Sequence, residues 1–161
     1  MDIRLATVDD AEAIAAIYNL EVSESTVTLD LVPRSLAEQH EWLDSHGGVH
    51  PAIVAVDDGA VMGFGALSPY RSRPAYSTTV EDSVYVGRDR RGQGVGRALL
   101  DELIVLGTRH GFHTMIARAI AGHEASIGLH RACGFELVGV EREVGRKFGI
   151  WLDIVELQRM L

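Results

Sequence analysis

Residues 78–100, TTVEDSVYVGRDRRGQGVGRALL, join three patterns in an order that leaves few folds open. The segment Thr78 to Val86 has strand character, with valine, threonine and tyrosine. It runs straight into a loop with arginines at 88, 90, 91 and 97 and glycines at 92, 94 and 96. A helix from about Gly94 to His110 then opens, with Val95, Leu99, Leu103 and Leu106 at helical spacing and Gly111 at its end. Such a unit needs a sheet for the strand and an apolar face for the helix. Its turn aims unpaired backbone N–H groups and the positive end of the helix dipole outward, which attracts an anion.

The flanking chain supplies the rest of a sheet. Residues 2–6 alternate like a short strand, and Thr7 with Asp9 and Asp10 starts a helix through about Asn19. Ser35 to His46 reads as a second helix, stopped by Gly47-Gly48. Runs at 52–56 and from 61 flank Asp57-Asp58-Gly59-Ala60, where an Asp-Gly step suits a tight hairpin. After the glycine loop come a strand at 113–119, a short helix at 124–132 and strands at 135–144 and 150–158. The order predicts one domain, residues 1–161, of α/β (α+β) class with a mixed sheet, and it fits a doubly wound dinucleotide fold poorly.

Which anion the loop could hold is narrowed by what is missing. Gly87 and Gly92 have Walker A spacing, but Gln93-Gly94 stand where Lys and Ser/Thr must be. Gly92 and Gly94 begin a dinucleotide fingerprint, but Arg97 occupies its third glycine. The net charge of −8 argues against nucleic acid, whose binding needs a broad basic face. The arginine island suits a compact, multiply charged anion, although a solvated basic turn has the same composition. No apolar run approaches the roughly 18 residues of a membrane span, and the N-terminus lacks a leader pattern, so a cytoplasmic protein without a membrane partner is expected. The single cysteine, Cys133, allows no internal disulfide and reads as structural. His110 and His113 lack further ligands at metal-binding spacing, so no metal is expected.

The remaining pattern, Arg91-Gly92-Gln93-Gly94-Val95-Gly96, follows a strand and opens a long helix. It resembles the acyl-CoA pyrophosphate loop of the GNAT N-acetyltransferase superfamily. EDSVYV before it, ASIGLHRACGFELVG from 125 and GRKFGIWLDIVELQ near the end follow in matching order. Across essentially the whole chain the pattern is similar to the phosphinothricin and methionine sulfone N-acetyltransferase branch.

The resemblance implies the GNAT fold, a central largely antiparallel sheet with a parallel pair flanked by helices. It also implies acetyl-CoA as cosubstrate, a small amine as acceptor and a homodimer. An acetyl acceptor must be a neutral amine, and amines of pKa about 8 to 10 need a base at neutral pH. The family places a glutamate at Glu81, where an exposed strand acid paired with an arginine is the plainer reading. Backbone of Val84, Tyr85 and Val86 would pair with the pantetheine arm. Amides from Gln93 through Gly94, Val95 and Gly96 to Arg97 would take the pyrophosphate, with Arg91 and Arg97 as charge partners and Gly92 permitting close approach. Where the family has Asn, a small residue and Ser, this chain has His123-Glu-Ala-Ser126; Ser126 keeps a hydroxyl for CoA, and His123 replaces the amide. His130 matches a family histidine near the cofactor, or else packs on its helix.

For the amine substrate, Arg71 and Arg73 offer guanidinium forks to a carboxylate. Tyr70, Tyr76 and Trp151 offer aromatic walls or core packing, and Lys147 and Asp153 belong to a C-terminal signature of the branch's substrate side. A peptide or protein amine as acceptor, or an acyl-CoA-binding module without turnover, are the competing readings.

Overall fold

In the computed structural model, which describes residues 1–161, a seven-stranded sheet carries helices on both faces. The elements are β1 (Asp2–Leu5), α1 (Ala11–Glu24), α2 (Leu36–Asp44), β2 (Ala52–Asp57), β3 (Ala60–Pro69), β4 (Thr79–Val86), α3 (Val95–Arg109), β5 (Thr114–Ile120), α4 (Glu124–Ala132), β6 (Glu136–Lys147) and β7 (Ile150–Met160). The strand order is β1-β2-β3-β4-β5-β7-β6, and only β4 and β5 run parallel. This is the mixed sheet with a single parallel pair that the resemblance implied. No helix is long and apolar enough to cross a membrane.

Local chemistry explains most of the element boundaries. Ser35 caps α2 by accepting from Glu38 N at 3.1 Å while the Glu38 carboxylate accepts from Ser35 N at 2.7 Å. Asp58 and Gly59, with φ of 48° and 78°, make the tight turn between β2 and β3. Two boundaries extend furthest past the sequence reading. The first helix continues to Glu24 rather than stopping near Asn19, and β6 runs on to Lys147 before a turn at Phe148-Gly149. Polar residues at 21 and 24 ended the helical pattern in one dimension, but both face partners on another element.

The two sheet faces differ. On one, Ile14, Tyr18 and Val22 of α1 pack on Val54 and Phe64. On the other, Leu99, Leu100 and Leu103 of α3 join Ile53, Leu67, Val80, Met115 and Leu157 in the main core. Strand alternation therefore divides β4. Val84 and Val86 face α3, and Tyr85 faces α1 with Glu81 and Ser83 on the same side.

Close approach of α3 to β3 depends on Gly63. A Cβ there would lie 2.7 Å from Tyr85 O and 3.2 Å from both Leu99 Cδ1 and Val86 Cα. The first neighbour is backbone and cannot swing away. Gly63→Ala should lower unfolding free energy by about 1–3 kcal/mol, read as an earlier urea midpoint, because it overpacks this layer.

Candidate active site

β4 and β5 are hydrogen-bonded over only three residue pairs, Thr79 with Thr114, Val80 with Met115 and Glu81 with Ile116. Beyond them β4 stays with β3 as far as Val86, and β5 stays with β7 as far as Ile120. The facing edges from Asp82 and Ala117 onward are left without each other. A cleft of about 440 Å³ occupies the gap. Glu81 to Val86 form one wall, the arginine-glycine loop closes one end, and Arg118 with His123, Ser126, Leu129 and His130 forms the opposite wall. An unpaired strand edge in a cleft suits an extended ligand that carries its own amides.

The loop is shaped for an anion by its backbone. Gly92 and Gly94 have φ of 72° and 83°, and a Cβ on either would meet open space. Gly94 caps α3, and the first main-chain N–H past this point with a protein acceptor is that of Ala98, bonded to Gly94 O at 3.0 Å. The amides of Gly92 to Arg97 are thus without protein partners, and all of these residues but Gln93, whose side chain turns back to Asp89 O, line the cleft end.

The arginine side chains are already engaged. Arg88 Nε and Arg91 Nη2 both donate to Glu21 Oε1 at 2.8 Å, and Arg88 Nη1 donates to Glu24 at 2.7 Å. Arg97 Nε donates to Asp101 at 2.7 Å. Burial alone would raise the Glu21 pKa, but hydrogen bonds from Arg88 and Ser25 and the charge of Arg91 hold it below the ordinary value. Glu21 is a site residue that sequence reading missed, because its partners lie 67 and 70 residues away.

Glu81 is half-buried in the cleft wall. Burial is the main influence on its carboxyl and raises its pKa; Asp82 and Glu156 add to this, and Arg118 and Arg71 oppose it without prevailing. Arg118, also missed, lines the cleft while donating to Glu141 at 2.6 Å. It is the one exposed position in an otherwise buried strand, which was its only signal in the sequence.

Asp82 and His130 meet on the α3 side of the cleft. His130 Nε2 lies 3.0 Å from Asp82 Oδ2, and Nδ1 lies 2.8 Å from the Ser126 carbonyl. The Ser126 carbonyl takes the Nδ1 hydrogen, and an ionised Asp82 favours a second hydrogen on Nε2, so the site favours the imidazolium form. Burial works against that charge, but Asp82 and the Ser126 carbonyl outweigh it and raise the His130 pKa. Asp82 Oδ1 is buried without any protein partner. His123 occupies the N-cap of α4, and its carbonyl accepts from Ser126 N at 3.1 Å. Burial, reinforced by Arg91, keeps its side chain toward the neutral form.

The remaining sequence candidates lie elsewhere. Arg71 stacks over Tyr70 and Tyr76, with its guanidinium carbon 4.8 and 5.7 Å from the ring centroids. Arg71, Ser72, Arg73 and Tyr76 line a separate shallow hollow. Lys147 is buried and donates to Thr28 O at 3.0 Å. Trp151 is exposed beneath Arg146, whose guanidinium carbon is 4.7 Å from the ring centroid, and Asp153 accepts from Glu143 N at 2.8 Å. None of these last three side chains lines the cleft.

Comparison with known proteins yields consistent matches. The model of the acetyltransferase (GNAT) family matches residues 14–135. An L-methionine sulfoximine/L-methionine sulfone acetyltransferase of Pseudomonas aeruginosa is 42% identical over 158 residues, covering 97% of this chain and 92% of the relative. A phosphinothricin acetyltransferase of Sinorhizobium meliloti, solved in complex with AcCoA, superposes with a TM-score of 0.95 at 41% identity over 99% of this chain and 88% of that one. A ribosomal-protein-alanine N-acetyltransferase structure from Brucella melitensis superposes with a TM-score of 0.98 at 39% identity, with full coverage of both chains.

The Asp82–His130 pair has a pH signature. Because the folded-state pKa of His130 is raised above its unfolded value, the pair's stabilisation is complete below about pH 6.5 and is lost as pH rises through the folded pKa. Asp82→Asn should therefore destabilise by about 3 kcal/mol near pH 6 and by less near pH 9, in urea unfolding compared with wild type.

Proposed function

The chain belongs to the acetyltransferase (GNAT) family and is an acetyl-CoA-dependent N-acetyltransferase, and we propose that it acetylates the primary amine of a small amino-acid analogue with Glu81 as general base. The acceptor class is that of its relatives, the methionine sulfoximine, methionine sulfone and phosphinothricin type. Removing such compounds would make this a resistance enzyme acting in the cytoplasm. The observation that carries the reading is the cleft itself: a bare strand edge with glycine-loop amides at one end and a carboxylate at the other.

The cleft fits the cosubstrate by the chemistry of its walls. The free edge of Val84 to Val86 would hold the amides of a pantetheine arm, and the partnerless N–H groups of Gly92 to Arg97 would hold a pyrophosphate. Ser126 would add a hydroxyl from α4, and His123 would present a neutral ring beside Arg91. Bound acetyl-CoA supplies an activated acetyl group. Because Arg91 and Arg97 already have acidic partners, loop amides would provide most of the attraction for phosphate.

Glu81 faces the side of the sheet covered by α1 and α2, where an amine can approach from outside the cosubstrate cleft. A carboxyl whose pKa is raised is better matched to taking an ammonium proton near neutral pH than an ordinary glutamate. Arg71 and Arg73, in the hollow beside this face, would take the carboxylate of a free amino acid, with Tyr70 and Tyr76 stacked against Arg71. Lys147, Trp151 and Asp153 would support this side through the segment around Thr28 and through the β6–β7 hairpin.

That hairpin also presents apolar side chains to solvent, Leu137, Val138, Val140 and Val144 on the edge strand β6 and Phe148, Ile150 and Trp151 in the turn and at the start of β7. A second copy of the chain would cover this row and the free edge of β6 together, as a twofold dimer. The Brucella likeness favours a protein N-terminus as the alternative acceptor.

With acetyl-CoA and methionine sulfone the protein should release free thiol, and an alanine-initiated peptide should react far more slowly; the reverse order would transfer the assignment to peptide substrates. Glu81→Gln should lower kcat by about a hundredfold or more with little change in KM for acetyl-CoA. The acid limb of the wild-type kcat profile should lie above pH 4.5, since Glu81 is raised from that value. Light scattering should give twice the 17.5 kDa chain mass, and Val140→Lys should return it to one.

A further inference from the structure

Outside the cleft, one polar cluster joins α2 to the edge of the reaction site and has no part in the scheme above. Ser68 on β3 is the register partner of Glu81 on β4. Directly opposed residues of an antiparallel pair share a face, with Cβ atoms about 4.5–5.5 Å apart. Ser68 Oγ lies 3.1 Å from His46 Nε2, and His46 Nδ1 lies 2.7 Å from the Trp42 carbonyl. The imidazole is also packed on the Trp42 ring at a centroid distance of 4.1 Å.

With the His46 ring neutral, this geometry assigns the hydrogens along the chain of contacts. Ser45 Oγ, 3.1 Å from His46 Nδ1, gives its own hydrogen to the Trp42 carbonyl at 2.7 Å, so Nδ1 faces two acceptors and carries the proton, and Nε2 of the neutral ring presents a lone pair. Ser68 must then donate its hydroxyl hydrogen to His46, which leaves the lone pairs of Oγ free. Burial holds His46 toward the neutral form, and Arg34 before α2 and His50 after it act in the same direction against the Trp42 carbonyl. The serine oxygen is thus committed as an acceptor on the same face as Glu81.

Acetyl transfer gives such an acceptor a use. An ammonium nitrogen first passes one proton to Glu81. Its freed lone pair then forms the C–N bond as the C–S bond breaks with its electrons on sulfur, and a second nitrogen proton ends on that sulfur as thiol. At the moment of attack the nitrogen therefore carries two N–H bonds and one lone pair. One acceptor leaves it free to rotate, whereas two acceptors aim the lone pair. We propose that the carbonyl oxygen of the newly protonated Glu81 accepts one of the two N–H bonds and Ser68 Oγ accepts the other, and that His46 is a positioning residue that locks Ser68 in the accepting orientation.

The proposal rests on the acetyl-transfer reading with Glu81 as base, and kinetics separate the two. Wild type, Ser68→Ala, Ser68→Thr, His46→Phe, the Ser68→Ala/His46→Phe double variant and Glu81→Gln would be assayed with methionine sulfone and with an alanine-initiated tripeptide, each with a thermal melt. Ser68→Ala should lower kcat about tenfold with KM for acetyl-CoA unchanged, as expected for one lost hydrogen bond to a reacting group. Ser68→Thr should recover most of kcat because it keeps the hydroxyl. His46→Phe should match Ser68→Ala, and the double variant should be no worse than either. Wild-type kcat in Ser68→Ala, no recovery in Ser68→Thr, additive losses, or a loss confined to KM for acetyl-CoA or to melting temperature would each overturn it. Normal turnover in Glu81→Gln beside a slow Ser68→Ala would remove Glu81 and leave Ser68 as an acceptor. A wild type that acetylates neither acceptor would remove both readings.

Discussion

The divergence of β4 from β5 after Glu81 and Ile116 is the constraint on which the site depends. Three paired residues hold the sheet together below the split, and above it each strand keeps only its outer neighbour. Backbone groups inside a sheet normally find partners across it. Here the missing partner leaves a wall of main-chain donors and acceptors that needs no particular side chain. The same split lets Glu81 face the α1 and α2 side while Asp82, one residue later, meets His130 of α4 on the other. One strand thus serves the two faces on which two substrates would be brought together.

Charge is arranged around that opening in a way the composition conceals. Four arginines at a loop suggest a strongly positive pocket, yet Glu21, Glu24 and Asp101 answer three of them at 2.7–2.8 Å, and Arg90 reaches Asp89 at 3.2 Å. What remains unanswered is the row of backbone N–H groups from Gly92 to Arg97, fixed in place by the left-handed turns at Gly92 and Gly94. Preorganised amides lose little entropy when an anion arrives, whereas a paired arginine must first be drawn from its acid. Glu21 also links α1 to the loop, so the two sheet faces are tied by one buried carboxylate.

The fold was largely legible because its signals are local and repeat over several residues. The capping box at Ser35 and Glu38, the Asp58-Gly59 turn, the helical spacing from Val95 and the exact span of α4 each belong to a window of a few residues. The glycine loop was legible for the same reason, although which of its three glycines take a positive φ, Gly92 and Gly94 but not Gly96, came only from the structure. Glu21, Arg118 and the Ser68–His46 contact were not, since each takes its meaning from a partner 22 to 70 residues distant. Lys147 shows the same limit in reverse. Its sequence neighbourhood suggested the substrate side, but its ammonium turns inward to the Thr28 carbonyl.

The sequence by itself determined the order of strands and helices, the anion-binding turn and the presence of a carboxylate one strand-length before it, because hydrophobic period, glycine and capping residues act over short distances. Only the tertiary structure decided that β4 and β5 part after three residue pairs, that Arg88 and Arg91 are met by acids from α1, and that Ser68 shares a face with Glu81. Those outcomes depend on strand register and on which helix packs where. They are properties of pairs of segments, and no single segment carries them.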